Sequence, residues 1–281
     1  MNAEIVVITG STRGIGFAMA EAFLRTGHKV VVSGSSTQSV DRALKKLSRW
    51  TDNMVGVACN VTEPDDLEGL WQAARNKWGG VDIWINNAGI SHSLVPIWET
   101  PLGEIEKVVN TNVLGVMYGS SVAMKHMMEQ GFGRIYNMEG LGSDGRHATL
   151  WNIYGTTKRA LSYYTDGLIQ EAAGTPVHVG ALSSGMVVTD FILDHLSGDR
   201  QAIERTKRIY NILGDKPETV SSFLVKRILL DKGHGSHINW LTAPKVIGRF
   251  LLAPIRKRQL FEESDDYSRT GLHAKGGSVP S

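Results

Sequence analysis

Ile5-Val6-Val7-Ile8-Thr9-Gly10-Ser11-Thr12-Arg13-Gly14-Ile15-Gly16 is the stretch that decides the fold. Ile5 to Ile8 is short, apolar and β-branched, and Gly10 bounds it, so it reads as a buried strand. Phe17 to Arg25 follows with helical periodicity and stops at Gly27. A glycine motif is informative in this context of strand, turn and helix. Glycines let a backbone approach a pyrophosphate, and a helix N-terminus offers free amides and the positive end of its dipole. The spacing is Gly10-x-x-x-Gly14-x-Gly16, not Gly-x-Gly-x-x-Gly. Gly10, Ser11, Thr12, Arg13, Gly14, Ile15 and Gly16 are the first expected cofactor contacts. The alternative is a glycine-rich turn with no ligand.

Working outward, Lys29 to Ser33 reads as the second strand. An NAD-binding unit carries an acid at that strand's end to hold the ribose 2′-hydroxyl. Here the run is Ser33-Gly34-Ser35-Ser36, with no acid. Arg13 can instead meet a 2′-phosphate, with hydrogen bonds from Ser35 or Ser36, which argues for NADPH/NADP+ over NAD(H). Further strands are expected at Met54–Ala58, Val81–Ile85, Gly133–Asn137 and Val177–Leu182. Helices are expected at Ser39–Arg49, Asp65–Trp78, Leu102–Gln130 and Trp151–Ala173. Strand and helix alternate throughout, the pattern of a Rossmann-type doubly wound parallel α/β sheet with helices on both faces. Ligands of such sheets bind beyond the strands' carboxyl ends. Asn60, Val61 and the run Asn86-Asn87-Ala88-Gly89 fall there, with Asn60 and Val61 expected to face an adenine ring.

Tyr154 and Lys158 are four residues apart, so a helix puts them on one face. An ammonium beside a phenol favours the phenolate and lowers its pKa, which makes the pair a potential acid/base near pH 7. Taken alone, such a pair is far more often an accident of spacing than a catalytic pair.

Together, Thr9-Gly-x-x-x-Gly-x-Gly16, Asn86-Asn-Ala-Gly89, Asn112, Tyr154-x-x-x-Lys158 and the turn before Thr189 resemble the short-chain dehydrogenase/reductase family. The resemblance implies a Rossmann fold with NAD(P)(H) and Tyr154 as proton donor or acceptor. It implies that Lys158 holds the nicotinamide ribose and lowers the Tyr154 pKa. It also implies that Asn112 marks a helix kink and supports a proton-relay water, and that Gly185, Val187 and Thr189 meet the cofactor. The family's carbonyl-orienting Ser stands 13 residues before the Tyr, where this chain has Leu141. The role passes to Ser143 on the same loop. Glu139 is the other polar group there, and as a carboxylate it would hinder an oxyanion. Asn137-Met-Glu-Gly-Leu-Gly-Ser143, Gly185-Met-Val-Val-Thr-Asp190, Lys216 to Val225 and Ile238 to Pro244 resemble the chlorophyll b reductase subfamily. That implies reduction of the 7-formyl group of chlorophyll b to 7-hydroxymethyl chlorophyll a. The alternatives are another hydrophobic aldehyde or ketone, lipid or steroid-like, in a bacterium, or an NADP(H) sensor without turnover. The family's habit implies a homo-dimer or homo-tetramer.

Residues 1–261 read as one reductase domain. Residues 186–240 form a substrate cap that includes short helices at Phe191–Leu196 and Gln201–Leu213. Residues 244–261 form a basic amphipathic segment and 262–281 a disordered tail. Val246, Ile247, Phe250, Leu251 and Ile255 make one apolar face beside Lys245, Arg249, Arg256, Lys257 and Arg258. Such a segment either lies on an anionic membrane or docks on the protein. Cys59 is the only cysteine, which points to a reducing, cytoplasmic setting, with peripheral membrane contact open. A net charge of +2 gives no reason to expect nucleic acid. His234 and His237 lack the partners of a metal site, so no metal is expected. No apolar run reaches the ~18 residues of a membrane span, and no leader is read before the first strand.

Overall fold

The computed structural model describes residues 3–189 and 200–261. The sequence-read helix at Phe191–Leu196 and the tail at 262–281 lie outside the described residues. The strands are β1 Ile5–Ile8, β2 Lys29–Gly34, β3 Met54–Ala58, β4 Ile83–Asn86, β5 Gly133–Met138, β6 Val177–Ser183 and β7 Ser236–Asn239. The helices are α1 Gly14–Arg25, α2 Thr37–Lys46, α3 Pro64–Trp78, α4 Leu102–Val109, α5 Gly115–Gln130, α6 Asn152–Glu171, α7 Arg200–Leu213, α8 Pro217–Leu230 and α9 Ala243–Leu252. The strands form one parallel sheet in the order β3-β2-β1-β4-β5-β6-β7. The order reverses between β1 and β4, and a crevice opens there at the carboxyl ends.

Side chains alternate along each strand, so each strand feeds two cores. Val6, Ile8, Ile83 and Ile85 pack with Met19, Phe23 and Leu24 of α1 and Val220, Leu224 and Ile228 of α8. Val7 and Trp84 face the other way, against Leu67, Leu70 and Trp71 of α3 and Val122, Ala123 and Met127 of α5. A buried polar chain ties the centre together. Trp84 Nε1 donates to Asn86 Oδ1 (2.8 Å), and Asn86 Nδ2 donates to Ser120 Oγ (3.0 Å) and Asn137 Oδ1 (2.9 Å). Asn137 Nδ2 then donates to Thr165 Oγ1 on α6 (3.0 Å). Each buried amide is thereby satisfied, and β4, α5, β5 and α6 are fixed relative to one another.

The structure differs from the sequence reading at several elements. The helix expected at Ser39–Arg49 starts earlier, at Thr37, because Ser36 Oγ caps it by accepting from Ser39 N (3.3 Å). The long helix over Leu102–Gln130 is interrupted at Asn110–Leu114 by a π-helical turn centred on Asn112. His237, read within a loop-like run, lies in β7. Within residues 244–261, α9 runs to Leu252, and Ala253 keeps helical backbone (φ −56°, ψ −37°) as its C-cap before Pro254.

Candidate active site

The glycine loop is built for close backbone approach. Gly10 (φ +63°) and Gly14 (φ +57°) occupy left-handed backbone that favours glycine. A Cβ on Gly10 would sit 2.9 Å from Ala88 Cα, and one on Gly16 would sit 2.5 Å from Asn87 Nδ2. The loop is pinned to β4's end: Asn87 Nδ2 donates to Thr9 O (2.9 Å) and Gly10 O (3.0 Å), and the Asn87 and Ala88 amides donate to Thr9 Oγ1 (2.9 and 3.0 Å). Helix α1 begins at Gly14, and the side chain of its N-cap residue, Arg13, makes no capping hydrogen bond. Its N-terminal amides therefore remain for an anion.

The sequence-read contacts divide into two groups. Ser11 is fully buried; its hydroxyl donates to Ile8 O (2.8 Å) and accepts from Ser33 N (2.9 Å), while its amide donates to Ser33 O (2.7 Å). It builds the loop from within. Ile15 packs against the core, as does Val187, and Ser36 Oγ is engaged in capping α2. Val61 is buried against Gly115, and Asn60 turns its Oδ1 toward Thr62 N (3.3 Å). Arg13 and Ser35 are exposed at the carboxyl end of the sheet, and Thr12 lies against Gly34. Thr189 reaches over the loop: its Cγ2 is 3.7 Å from where a Gly14 Cβ would be.

Tyr154, Lys158 and Asn112 come together at the ends of β4 and β5. Asn112 is fully buried and braces two segments. Its Oδ1 accepts from Ile90 N (2.8 Å), and its Nδ2 donates to Ile90 O (2.9 Å) and Thr157 Oγ1 (3.1 Å). Thr157 in turn donates to Tyr154 O (2.7 Å). The π-helical turn aims Asn112 inward, and one Oδ1 lone pair remains beyond these bonds. Lys158 Nζ donates to Met138 O (3.0 Å) and lies 5.7 Å from the Tyr154 ring centroid. Trp151 meets the Tyr154 ring edge-on at 5.6 Å.

The electrostatics correct one expectation. Burial pushes the Tyr154 phenol above its ordinary pKa, and nearby Tyr210 adds to this. Burial also lowers Lys158 from 10.5 to about 8, against a partial opposing pull from Glu139. The net shift of Tyr154 is therefore upward, against the expectation of a phenol poised near pH 7. The ammonium turns to a backbone carbonyl, and the cost of burying charge outweighs its attraction.

Gly140 to Ser143 forms a tight turn against α6. A Cβ on Gly140 would sit 2.8 Å from Tyr154 Oη, and one on Gly142 (φ +98°) would sit 2.6 Å from Gly155 Cα. Ser143 Oγ accepts from Gly140 N (3.0 Å), which leaves its own O–H free to donate. Arg159 Nη1 donates to Ser143 O (2.8 Å) and anchors the turn. Leu141 is exposed. Burial raises the Glu139 carboxyl, opposed by His237 and Lys158. Thr157, Arg159 and Trp151 carried no signal in the sequence beyond their place beside the Tyr/Lys pair. His234 bonds Ile169 O (2.7 Å), while His237 pairs with Asp166 (3.6 Å), so the two histidines serve separate contacts. Burial lifts the Cys59 thiol to about 12.

A family model described as short chain dehydrogenase matches residues 4–197. The probable chlorophyll(ide) b reductase NYC1, chloroplastic, of Arabidopsis thaliana is 35% identical over 276 residues, covering 92% of this chain and 54% of that protein. The chlorophyll(ide) b reductase NOL, chloroplastic, of the same plant is 34% identical over 274 residues, covering 92% and 77%. The chain thus spans about half the length of the first of these relatives. Among solved structures, the closed form of serine dehydrogenase complexed with NADP+ superposes with a TM-score of 0.74 at 26% identity, over 85% of this chain and 95% of that one. An actinorhodin polyketide ketoreductase variant with NADPH gives 0.75 at 25% identity, with the same coverage. Motif order, sheet order and these matches agree: the chain belongs to the short-chain dehydrogenase/reductase family of NAD(P)H-dependent oxidoreductases.

Proposed function

We propose that this protein is an NADPH-dependent carbonyl reductase that acts on a formyl group carried by a large hydrophobic ring, the 7-formyl group of chlorophyll b being the specific candidate. The observation that carries the reaction class is the Tyr154–Lys158–Asn112 cluster beside a glycine cradle that a Cβ would block. The cradle fits a dinucleotide. The open first turn of α1 and the Gly10 and Gly14 backbone suit a pyrophosphate, and exposed Arg13 and Ser35 suit a 2′-phosphate. When bound, NADPH supplies a hydride to the carbonyl carbon.

The chain's own residues do the rest. Tyr154 gives its phenolic proton to the carbonyl oxygen. Its raised pKa keeps it protonated at neutral pH, the form that reduction needs. Lys158 holds the ribose and sets a positive charge beside the phenolate left after transfer. Ser143 donates to the carbonyl oxygen through its free O–H. Asn112 holds α6 in place and offers its spare lone pair to a water that returns the proton to Tyr154.

The pigment assignment rests on the plant relatives and on an apolar surface. Ile247, Phe250, Leu251, Leu252 and Ile255 are exposed on and after α9, with exposed Arg256 and Lys257 beside them. This face suits peripheral contact with an anionic membrane that holds a lipophilic substrate. Exposed Tyr163 on α6 suits assembly into a homo-dimer or homo-tetramer. NADPH consumption with chlorophyll b, a steroid ketone and a long-chain aldehyde tests the proposal. Pigment turnover at least matching the others supports it, and turnover of the others alone refutes the pigment. Failure of every substrate with intact NADPH binding would favour a sensor.

A further inference from the structure

We propose that Asp215 is a positioning residue, held by the C-terminal segment, that fixes the loop after β6 over the dinucleotide cradle. The inference rests on the NADPH reading above and deepens it. Asp215 stands just beyond α7, and its side chain is 6% exposed. Three donors from the C-terminal part of the chain converge on its carboxylate. Arg249 Nη2 lies 2.6 Å from Oδ2, Trp240 Nε1 lies 2.6 Å from the same oxygen, and Arg258 Nη2 lies 2.7 Å from Oδ1. The two guanidiniums also donate to the last carbonyls of α7: Arg249 Nη1 to Leu213 O (2.6 Å) and Arg258 Nη1 to Ile212 O (3.2 Å). Cations at a helix C-terminus meet the negative end of its dipole, so each arginine is favourably placed twice.

The backbone of Asp215 faces the other way. Its amide donates to Met186 O and its carbonyl accepts from Val188 N, both at 3.0 Å. This short parallel bridge centres on Val187, whose side chain is anchored in the core. Two residues on, Thr189 Cγ2 stands 3.7 Å from the Cβ position of Gly14, the first residue of α1. At the other end of the loop, a Cβ on Gly185 (φ +63°) would sit 2.6 Å from Leu241 Cβ, so the segment just before α9 packs on this loop as well. A continuous mechanical path therefore runs from Arg258, through Asp215 and Val188, to the mouth of the cradle. Leu260 N donates to Asn211 Oδ1 (2.9 Å) and Phe261 meets Tyr210 edge-on at 6.3 Å, so the end of the segment is itself secured on α7. A loop held this way keeps Thr189 over the α1 N-terminus before the cofactor arrives. The ordering cost of binding is then already met in the free protein.

The test uses the full chain with Arg258→Gln, which leaves Arg249 and Trp240 on Asp215 so that the fold survives, and Arg258→Lys, which keeps one charge. Two readouts are taken: the NADPH dissociation constant from cofactor fluorescence, and amide exchange of Val188 and Asp215 in the cofactor-free protein. The expected result for Arg258→Gln is NADPH binding weakened by about tenfold, the factor that matches loss of one charge-assisted hydrogen bond. Val188 exchange should quicken while Val7 in the central strand stays protected, and Arg258→Lys should fall between. Unchanged NADPH binding with unchanged Val188 exchange overturns the proposal. So does equal loss of protection at Val7, which would mean a general structural role. A wild-type chain that binds no NADPH would sink the cofactor reading instead, and Val188 exchange would still decide whether Arg258 holds the loop.

Discussion

Replacing Lys158 by methionine should stabilise the cofactor-free protein at neutral pH while removing its turnover. Lys158 is 4% exposed, and burial holds its pKa near 8 instead of 10.5. That drop corresponds to about 3 kcal/mol of unfavourable charge burial. The sign follows from proton binding. Below pH 8 both folded and unfolded states carry the charge, so the folded state bears the full penalty. Between about 8 and 10.5 the unfolded chain still binds the proton and the folded protein does not, so wild-type stability from this group rises with pH. Above 10.5 the penalty is gone. Methionine removes the penalty at every pH but leaves Met138 O without its donor, at a cost of about 1–2 kcal/mol. Lys158→Met should therefore be more stable than wild type by about 1–2 kcal/mol at pH 7. Its advantage should shrink, and reverse by a similar amount, as pH approaches 10.5. Urea unfolding of both proteins at matched concentration from pH 7 to 10.5 measures the difference, and other titrating groups cancel in the comparison. A difference that does not vary with pH would refute the reasoning.

Other outcomes follow from the same geometry. Tyr154→Phe should abolish reduction while NADPH affinity, measured by fluorescence, is largely kept; appreciable turnover would show that the proton comes from elsewhere. Arg13→Ala should weaken NADPH binding by about 1.5–3 kcal/mol, the worth of a charged hydrogen bond, with little change for NADH; equal losses for both would remove the 2′-phosphate contact. Gly119→Ala should destabilise the fold by about 1–3 kcal/mol in urea, because its methyl would press on the Asn86 carboxamide at the centre of the buried polar chain; a neutral result would mean that chain can shift freely.

The glycine loop was legible because it is local: strand, turn and helix are consecutive, and the geometry of Gly10, Gly14 and Gly16 depends on near neighbours and one adjacent strand end. Tyr154 and Lys158 were legible for the same reason, since helical spacing alone puts them on one face. Asn112 was legible only through the family resemblance, not through its contacts. Its partners Ile90 and Thr157 are 22 and 45 residues away, and no periodicity announces them. Strand β7 escaped notice because Ser-His-Ile-Asn offers one apolar side chain at the sheet's edge. Asp215 gave no signal either, since Trp240, Arg249 and Arg258 join it across 25, 34 and 43 residues. The direction of the Tyr154 pKa was misread because spacing reports a neighbouring charge, whereas burial is a property of the assembled fold. In the segment after Pro244, Arg249 and Arg258 turn inward to Asp215 and Lys245 stacks on the Trp240 ring, which leaves Arg256 and Lys257 exposed beside the apolar side chains, a division that spacing alone does not show.

The central claim is hydride reduction of a formyl group on a hydrophobic ring. Its most direct test incubates the purified chain with chlorophyll b and NADPH deuterated at the nicotinamide C4, followed by mass spectrometry of the pigment. The account predicts 7-hydroxymethyl chlorophyll a carrying one deuterium on the new carbinol carbon, and none from Tyr154→Phe. Unaltered chlorophyll b in the presence of bound NADPH would contradict it.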